Sequence, residues 1–297
     1  MTGTDFLDAL SDACTRLETY CDTLNAINVF PVADGDTGSN MLRTLSAVRG
    51  IVHVPQIPLC EAADSAASAI LRAARGNSGI ILALLFRGMA QRLCKVYTAD
   101  GTIFAEALLA ASDFARENVP QPREGTILTV AAAAAKEALA AGDALPVVLS
   151  AACAGALSGL EQTPQMLPVL HESGTVDAGG FGYLLILQAF AERFGGSYAV
   201  RTFSVSAAKP DTAHYRYCTE LLIEQYTPGD VPEALHTFLT SCGDCGNAVA
   251  SDGTVKVHVH TNEPWHVLRQ ALVYGTVHDL KVDNMQMQMT KGVRGWN

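Results

Sequence analysis

Grouped cations are missing from this sequence. Lys and Arg total 20 against 30 Asp and Glu, for a formal net charge of −10 over 297 residues, and the cations are scattered singly. A phosphate backbone or an anionic membrane surface is held by clustered positive charge, so nucleic acid and membrane surfaces are disfavoured as partners. Aromatic residues are scarce, at 7% with two Trp. Together with alanine runs such as 131–135, this favours closely packed helices over an all-β sandwich. Long apolar runs are also lacking. The densest, Ile80–Phe86 and Phe181–Ala191, fall short of the ~20 residues of a spanning helix, so no membrane span is expected. The opening MTGTDFLDAL has neither the basic nor the apolar region of a signal peptide. The chain therefore reads as cytoplasmic, and its eight Cys are expected as reduced thiols. No GxxxxGK[ST] motif occurs, which excludes a P-loop enzyme.

What is present is apolar mass. Hydrophobic residues make up 49% and charged residues 17%, enough for a sizeable core and, at this length, for two domains. Over 4–194 the sequence reads as eight helices, roughly 4–24, 38–50, 60–74, 77–94, 101–118, 126–141, 145–161 and 180–194. Phe6, Leu10, Leu17 and Leu24 mark a 3.6-residue period in the first. The breaks carry Gly and Pro, such as Pro31, Gly35, Pro55, Pro58, Gly125, Pro164 and Pro168. After about 195 the texture changes to a linker over 198–213. Strands at 215–225, 247–250, 254–260 and 277–282 then alternate with helices at 231–241 and 264–274. That order, βαββαβ, is the ferredoxin-like pattern, with a hairpin turn at Ser251-Asp252-Gly253. The expected organisation is a helical unit over 1–197, a small α+β unit over 214–285 and a polar tail over 286–297.

Every second helix of the first unit begins after a turn rich in Gly and small polar residues: Asp34-Gly-Asp-Thr-Gly-Ser-Asn40, Arg75-Gly-Asn-Ser-Gly79, Glu124-Gly-Thr126 and Asp177-Ala-Gly-Gly180. In an up-and-down array, alternate helices start at the same end, so four amino ends would meet on one rim. Helix amino ends offer unpaired N–H groups and partial positive charge, and glycine lets an anion approach the backbone. Asp34 and Asp36 add hard oxygen ligands suited to Mg²⁺. The combination points to a Mg²⁺–nucleotide site and phosphoryl transfer. Each turn alone is more often an ordinary N-cap; the argument rests on their phase.

Residues 24–41, LNAINVFPVADGDTGSNM, resemble the nucleotide-site signature of the Dak2 family, which includes dihydroxyacetone kinase subunits and the kinase subunit of bacterial fatty acid kinase. RGNSGIIL (75–82), REGTILTV (123–130) and SGTVDAGGFGYLLIL (173–187) match later blocks in the same order. The resemblance implies an all-α eight-helix up-and-down barrel binding ATP and two Mg²⁺ ions at one end. It makes Asp34 and Asp36 the metal ligands and catalytic centre, with Asn28 as a third ligand. Thr37, Gly38, Ser39, Asn40, Met41, Gly76, Asn77, Ser78, Gly79, Thr126, Asp177, Ala178 and Gly179 become the nucleotide-binding residues. In the fatty-acid branch, the acceptor is a fatty acid carboxylate held by a separate fatty-acid-binding protein and the product is an acyl phosphate. In the other branch, it is a small hydroxyketone on a partner protein. Either branch is compatible with a homodimer. A non-catalytic nucleotide-binding regulator and a metal-dependent hydrolase are the remaining alternatives.

In the second unit, His258 and His260 alternate along one strand and share a face, and Cys218 lies on a strand expected beside it. The three form a candidate Zn²⁺ site, against the alternative of a buried thiol and two His paired with carboxylates such as Glu220. YRYCTELLIE (215–224) and VKVHVHTNEP (255–264) resemble the middle domain of fatty acid kinase, which carries this Cys and this His pair. Cys242-Gly-Asp-Cys245, a lone CxxC, is read as incidental. The family's larger C-terminal domain has no counterpart in these residues.

Overall fold

A computed structural model describes residues 1–51, 54–204, 214–227, 229–251 and 253–287. Part of the expected linker (205–213), Asp252 of the expected turn and the tail from 288 lie outside the described residues.

The amino-terminal part is built from helices α1 (Gly3–Ile27), α2 (Thr37–Ser46), α3 (Leu59–Ala73), α4 (Gly76–Leu93), α5 (Gly101–Asn118), α6 (Ile127–Leu139), α7 (Leu145–Met166), α8 (Pro168–Ser173) and α9 (Ala178–Arg193). Local chemistry starts them. Thr2 and Asp5 form a capping box on α1, and Asp100 accepts the Ile103 N–H at α5. Phe6, Leu10, Leu17 and Leu24 are fully buried, so the period read in the sequence is the core face of α1. Helices α1 to α8 pack in sequence, and α9 packs on α7 and returns to α1. Phe6 meets Phe190 at 5.8 Å between ring centres, while Arg193 reaches Asp8 and Asp12.

Two differences from the sequence reading have physical causes. Pro164 does not end α7, which runs on to Met166. The Leu160 carbonyl, which a residue-164 N–H would have met, instead accepts the Thr163 hydroxyl at 2.8 Å. The short α8, begun by Pro168 and closed by the left-handed Gly174, stands where only a break was expected. A third concerns membrane crossing. Among the described residues α7 alone is long and apolar enough to span by length and composition, where none was expected. Ala152, Gly155, Ala156 and Gly159 on it are buried in the array. A Cβ on Gly155 would stand 2.4 Å from the Ala133 carbonyl oxygen, so α6 and α7 touch backbone to backbone.

The carboxyl-terminal part is β1 (Tyr217–Gln225), α10 (Glu233–Cys242), β2 (Asp244–Ser251), β3 (Thr254–Thr261), α11 (Pro264–Ala271) and β4 (Gly275–Asn284). The sheet order is β2-β3-β1-β4, antiparallel at every pairing. Alternation sorts its residues. Leu221, Ile223, Val255, Val257 and Val259 pack with Leu235 and Leu239 of α10 and Val267 of α11 in a second core. Cys218, Glu220, Lys256, His258 and His260 take the opposite face. That face is not left to solvent: Glu220, Lys256 and His258 are at most 1% exposed. The helices cover it, with α4 packed on β2 and Val249 joining the helical core.

Candidate functional site

One cavity lies where the two parts meet. The amino ends of α2 (Thr37, Asn40), α4 (Gly76, Asn77, Ser78), α6 (Thr126, Ile127) and α9 (Gly179, with its cap Asp177) line it. Asn28, Asp34 and Asp36 come from the α1–α2 loop, and Cys218, His258 and His260 from the sheet. The carboxylates and the Cys–His trio, some 180 or more positions apart in the chain, thus face the same space. Gly38, Ser39, Met41, Gly79 and Ala178, singled out from the sequence, do not line it. Gly38 and Gly79 are packing glycines: an added Cβ would lie 2.3 Å from the Cys21 carbonyl oxygen and 2.4 Å from Thr44 Oγ1. Ser39 is bonded to Asn25: its N–H donates to Oδ1 at 3.1 Å, and its hydroxyl accepts from Nδ2 at 3.0 Å. Met41 is fully buried, its sulfur beside Gly182.

Gly35 adopts the left-handed conformation, φ 73°, which glycine takes without strain. Asp34 and Asp36 flank it, half-buried. Asp36 stands at the N-cap of α2, yet its side chain makes no cap bond. Burial first, then the neighbouring charge of Asp36, raises Asp34 to about 8. Two half-buried carboxylates forced together favour a shared proton or a cation. Asn28 is placed differently from the expectation of a third ligand. Its Oδ1 accepts the N–H groups of Asp36 (3.1 Å) and Thr37 (3.2 Å), and its Nδ2 donates to the Val32 carbonyl (3.0 Å). Both lone pairs of that oxygen are taken, so the side chain braces the loop.

The other rims are braced as well. Thr126 caps α6. Asp177 caps α9 through the Gly180 N–H at 2.6 Å; burial raises it to about 7, against backbone bonds from Gly180 and Ile127 that favour the charge. At α4, Arg75 gives no side-chain cap. The cap arrives from the sheet: the Gly76 N–H donates to Glu220 Oε1. The Arg75 guanidinium donates to Glu220 Oε2 at 3.1 Å, and Lys256 Nζ lies 3.8 Å from the same oxygen. Burial opposes the Glu220 charge, but His258, Lys256 and the Gly76 N–H hold its carboxyl below the usual range.

On the sheet, Cys218 faces His260 across β1 and β3, and Glu220 faces His258. The ligand atoms of Cys218, His258 and His260 lie within 4.8 Å of one another. Both expected pairings occur together: His258 Nδ1 is 3.3 Å from Glu220 Oε1, and His260 Nδ1 is 3.0 Å from Asp244 Oδ1. His258 Nε2 is buried without a hydrogen-bond partner. A soft thiol, two imidazoles and an orphan buried nitrogen fit a Zn²⁺-type ion. Asp244 and Cys245 with His260 form a second such group, while Cys242 stays apart with its thiol on the Leu239 carbonyl, so the two thiols of the CxxC do not act as a pair. Lys256 and the Arg75 side chain carried no sequence signal. All eight Cys are free thiols.

Comparison with known proteins gives this geometry its family. The DAK2 domain model matches residues 31–192, and the FakA-like middle domain of fatty acid kinase matches 214–292. Protein YloV of Bacillus subtilis is 31% identical over 316 residues, covering 98% of this chain and 56% of its own. Uncharacterized protein SSP1546 of Staphylococcus saprophyticus is 32% identical over 323 residues, with the same coverage. The chain thus spans little more than half the length of these curated relatives. The dihydroxyacetone kinase of C. freundii shares the fold over 63% of this chain and 34% of its own, with TM-score 0.50 and 20% identity. Its complex with AMP-PNP and Mg²⁺ superposes with the same TM-score at 21% identity. The chain belongs to the DAK2 domain family and carries the FakA-like middle domain behind it.

Proposed function

We propose that this chain is an ATP- and Mg²⁺-dependent kinase subunit that phosphorylates a fatty acid carboxylate presented by a separate fatty-acid-binding protein. The observation that carries the reading is the Asp34–Asp36 pair in a cavity lined by the amino ends of α2, α4, α6 and α9. In this reading the helical unit over 1–197 is an up-and-down barrel of eight helices, with the short α8 as an insertion, joined through 198–213 to a ferredoxin-like unit over 214–285. Asp34 and Asp36 hold Mg²⁺, which when bound supplies charge neutralisation at the transferred phosphoryl group. Thr37, Asn40, Asn77 and Ser78 orient the phosphates, and Asn28 keeps the carboxylate loop in shape. The acceptor oxygen attacks the γ-phosphorus, ADP leaves, and no protein nucleophile is needed. Cys218, His258 and His260 hold Zn²⁺ as a structural anchor of the cavity roof. The middle-domain match favours the fatty acid reading. A small hydroxyketone acceptor is the second reading, supported by the fold shared with dihydroxyacetone kinase.

Calorimetric titration of ADP into the full chain, with and without Mg²⁺, tests the site. Mg²⁺-dependent binding that disappears in an Asp34→Asn/Asp36→Asn variant is the expected result. No binding to the unaltered chain would refute the kinase reading. ATP turnover with palmitate on a carrier protein, compared with dihydroxyacetone, then separates the two acceptors.

A further inference from the structure

The Glu220 carboxylate joins two sites that the chain keeps far apart. On the sheet side it meets His258 Nδ1 at 3.3 Å. On the helix side it accepts the Gly76 N–H and the Arg75 guanidinium. It is 1% exposed, so bulk solvent screens these bonds little. When Nδ1–H donates to Oε1, the lone pair of the imidazole sits on Nε2, the buried atom without a partner. A carboxylate behind a ligating His fixes both its tautomer and its ring orientation. Asp244 stands in the same relation to His260, without the bonds to Arg75 and Gly76 that Glu220 makes.

We propose that Glu220 is a positioning residue shared by the Cys218–His258–His260 site and the amino end of α4, so that a metal on the sheet and an anion at α4 sense each other through one carboxylate. The inference rests on reading the trio as a metal site. A ligand that draws the Gly76 N–H away from Glu220 frees charge on Oε1 for His258. A cation on His258 Nε2 makes Nδ1–H a stronger donor and reduces the hold of Glu220 on Gly76. The coupling is reciprocal, as linkage between two sites requires.

The test measures Zn²⁺ affinity of the full chain by competition with a chromophoric chelator, and Mg²⁺-ADP affinity alongside, for the unaltered chain, Glu220→Gln and Asp244→Asn. Glu220→Gln is expected to weaken Zn²⁺ by about 10–100-fold and also to shift ADP affinity, whereas Asp244→Asn weakens Zn²⁺ alone. A Zn²⁺ affinity unchanged in Glu220→Gln overturns the proposal while leaving the metal site standing. A fall in Zn²⁺ affinity with ADP unchanged overturns the shared anchor. No Zn²⁺ binding by the unaltered chain removes the metal reading and the proposal with it. Amide exchange in the unaltered chain needs no variant: Zn²⁺ should change the exchange rate at Gly76, and an unchanged rate there refutes the coupling.

Discussion

Replacing Glu220 by Gln should destabilise the sheet far more than the loss of one surface charge. Glu220 and Lys256 are each 1% exposed, and Lys256 Nζ, 3.8 Å from the carboxylate, has no hydrogen bond. Without the carboxylate, a buried ammonium loses its only close counter-charge among the described residues. Removing one partner of a buried pair costs about 3–5 kcal/mol. Gln keeps an acceptor for Gly76, and Arg75 is partly solvated, so we expect the low end, about 3 kcal/mol. Burial already depresses the Lys256 pKa, and loss of the amine proton limits the damage further at high pH. Lys256→Met alone leaves Glu220 with Arg75, His258 and Gly76 and should cost about 1 kcal/mol. In Glu220→Gln/Lys256→Met the stranded charge is gone, so the double variant should lie within about 1.5 kcal/mol of the unaltered chain. The assay is urea denaturation in the presence of a chelator, followed by Trp fluorescence and amide exchange of β1 and β3. A Glu220→Gln cost below about 0.5 kcal/mol, or a double variant equal to the sum of the singles, would refute the argument.

Other consequences are equally direct. The raised Asp34 pKa, about 8 against about 3.9 when unfolded, means the native state binds the extra proton between these values. Its contribution is therefore full below about pH 4 and lost as pH rises through 8. Melting temperature should fall from pH 5 to 8.5, less steeply with millimolar Mg²⁺ or in Asp34→Asn; identical slopes in all three would contradict the site. Asn28→Asp separates brace from ligand. A ligand role predicts tighter Mg²⁺ binding, whereas the brace role predicts weaker Mg²⁺-ADP binding, by about 10-fold, because the donor to Val32 is lost and a charge faces a carbonyl. Titration calorimetry decides the sign.

Much of this was legible from residue patterns because the signals are local. Gly and Pro punctuation located the long helices, and period-two alternation placed His258 and His260 on one face. The phase of four small-residue turns anticipated the amino ends that now line one cavity. What escaped depends on contacts across the chain. Pro164 looks like a terminator unless the Thr163 hydroxyl is seen to satisfy Leu160. Asn28 is a side chain whose duty is set by Asp36 and Thr37. Glu220 is legible as a partner for a strand His, but its other partners, Arg75 and Gly76, lie 145 and 144 positions earlier. No window of sequence holds both ends of that bond. Gly38 and Gly79 lie inside motifs that point to phosphate contacts, but a glycine in a motif serves packing as readily as approach.

The seam between α1 and α9 has a consequence for biogenesis. Phe6, Leu7 and Leu10 leave the ribosome well before Phe190, which closes over Phe6 and is synthesised more than 180 positions later. Until then α1 is sheltered mainly by α2 and α3. Contacts of such separation slow folding and leave greasy surface open to aggregation. The nascent helices before α9 are thus natural clients for a chaperone. A chain arrested before residue 178 should remain protease-sensitive throughout, and one released after residue 193 should not.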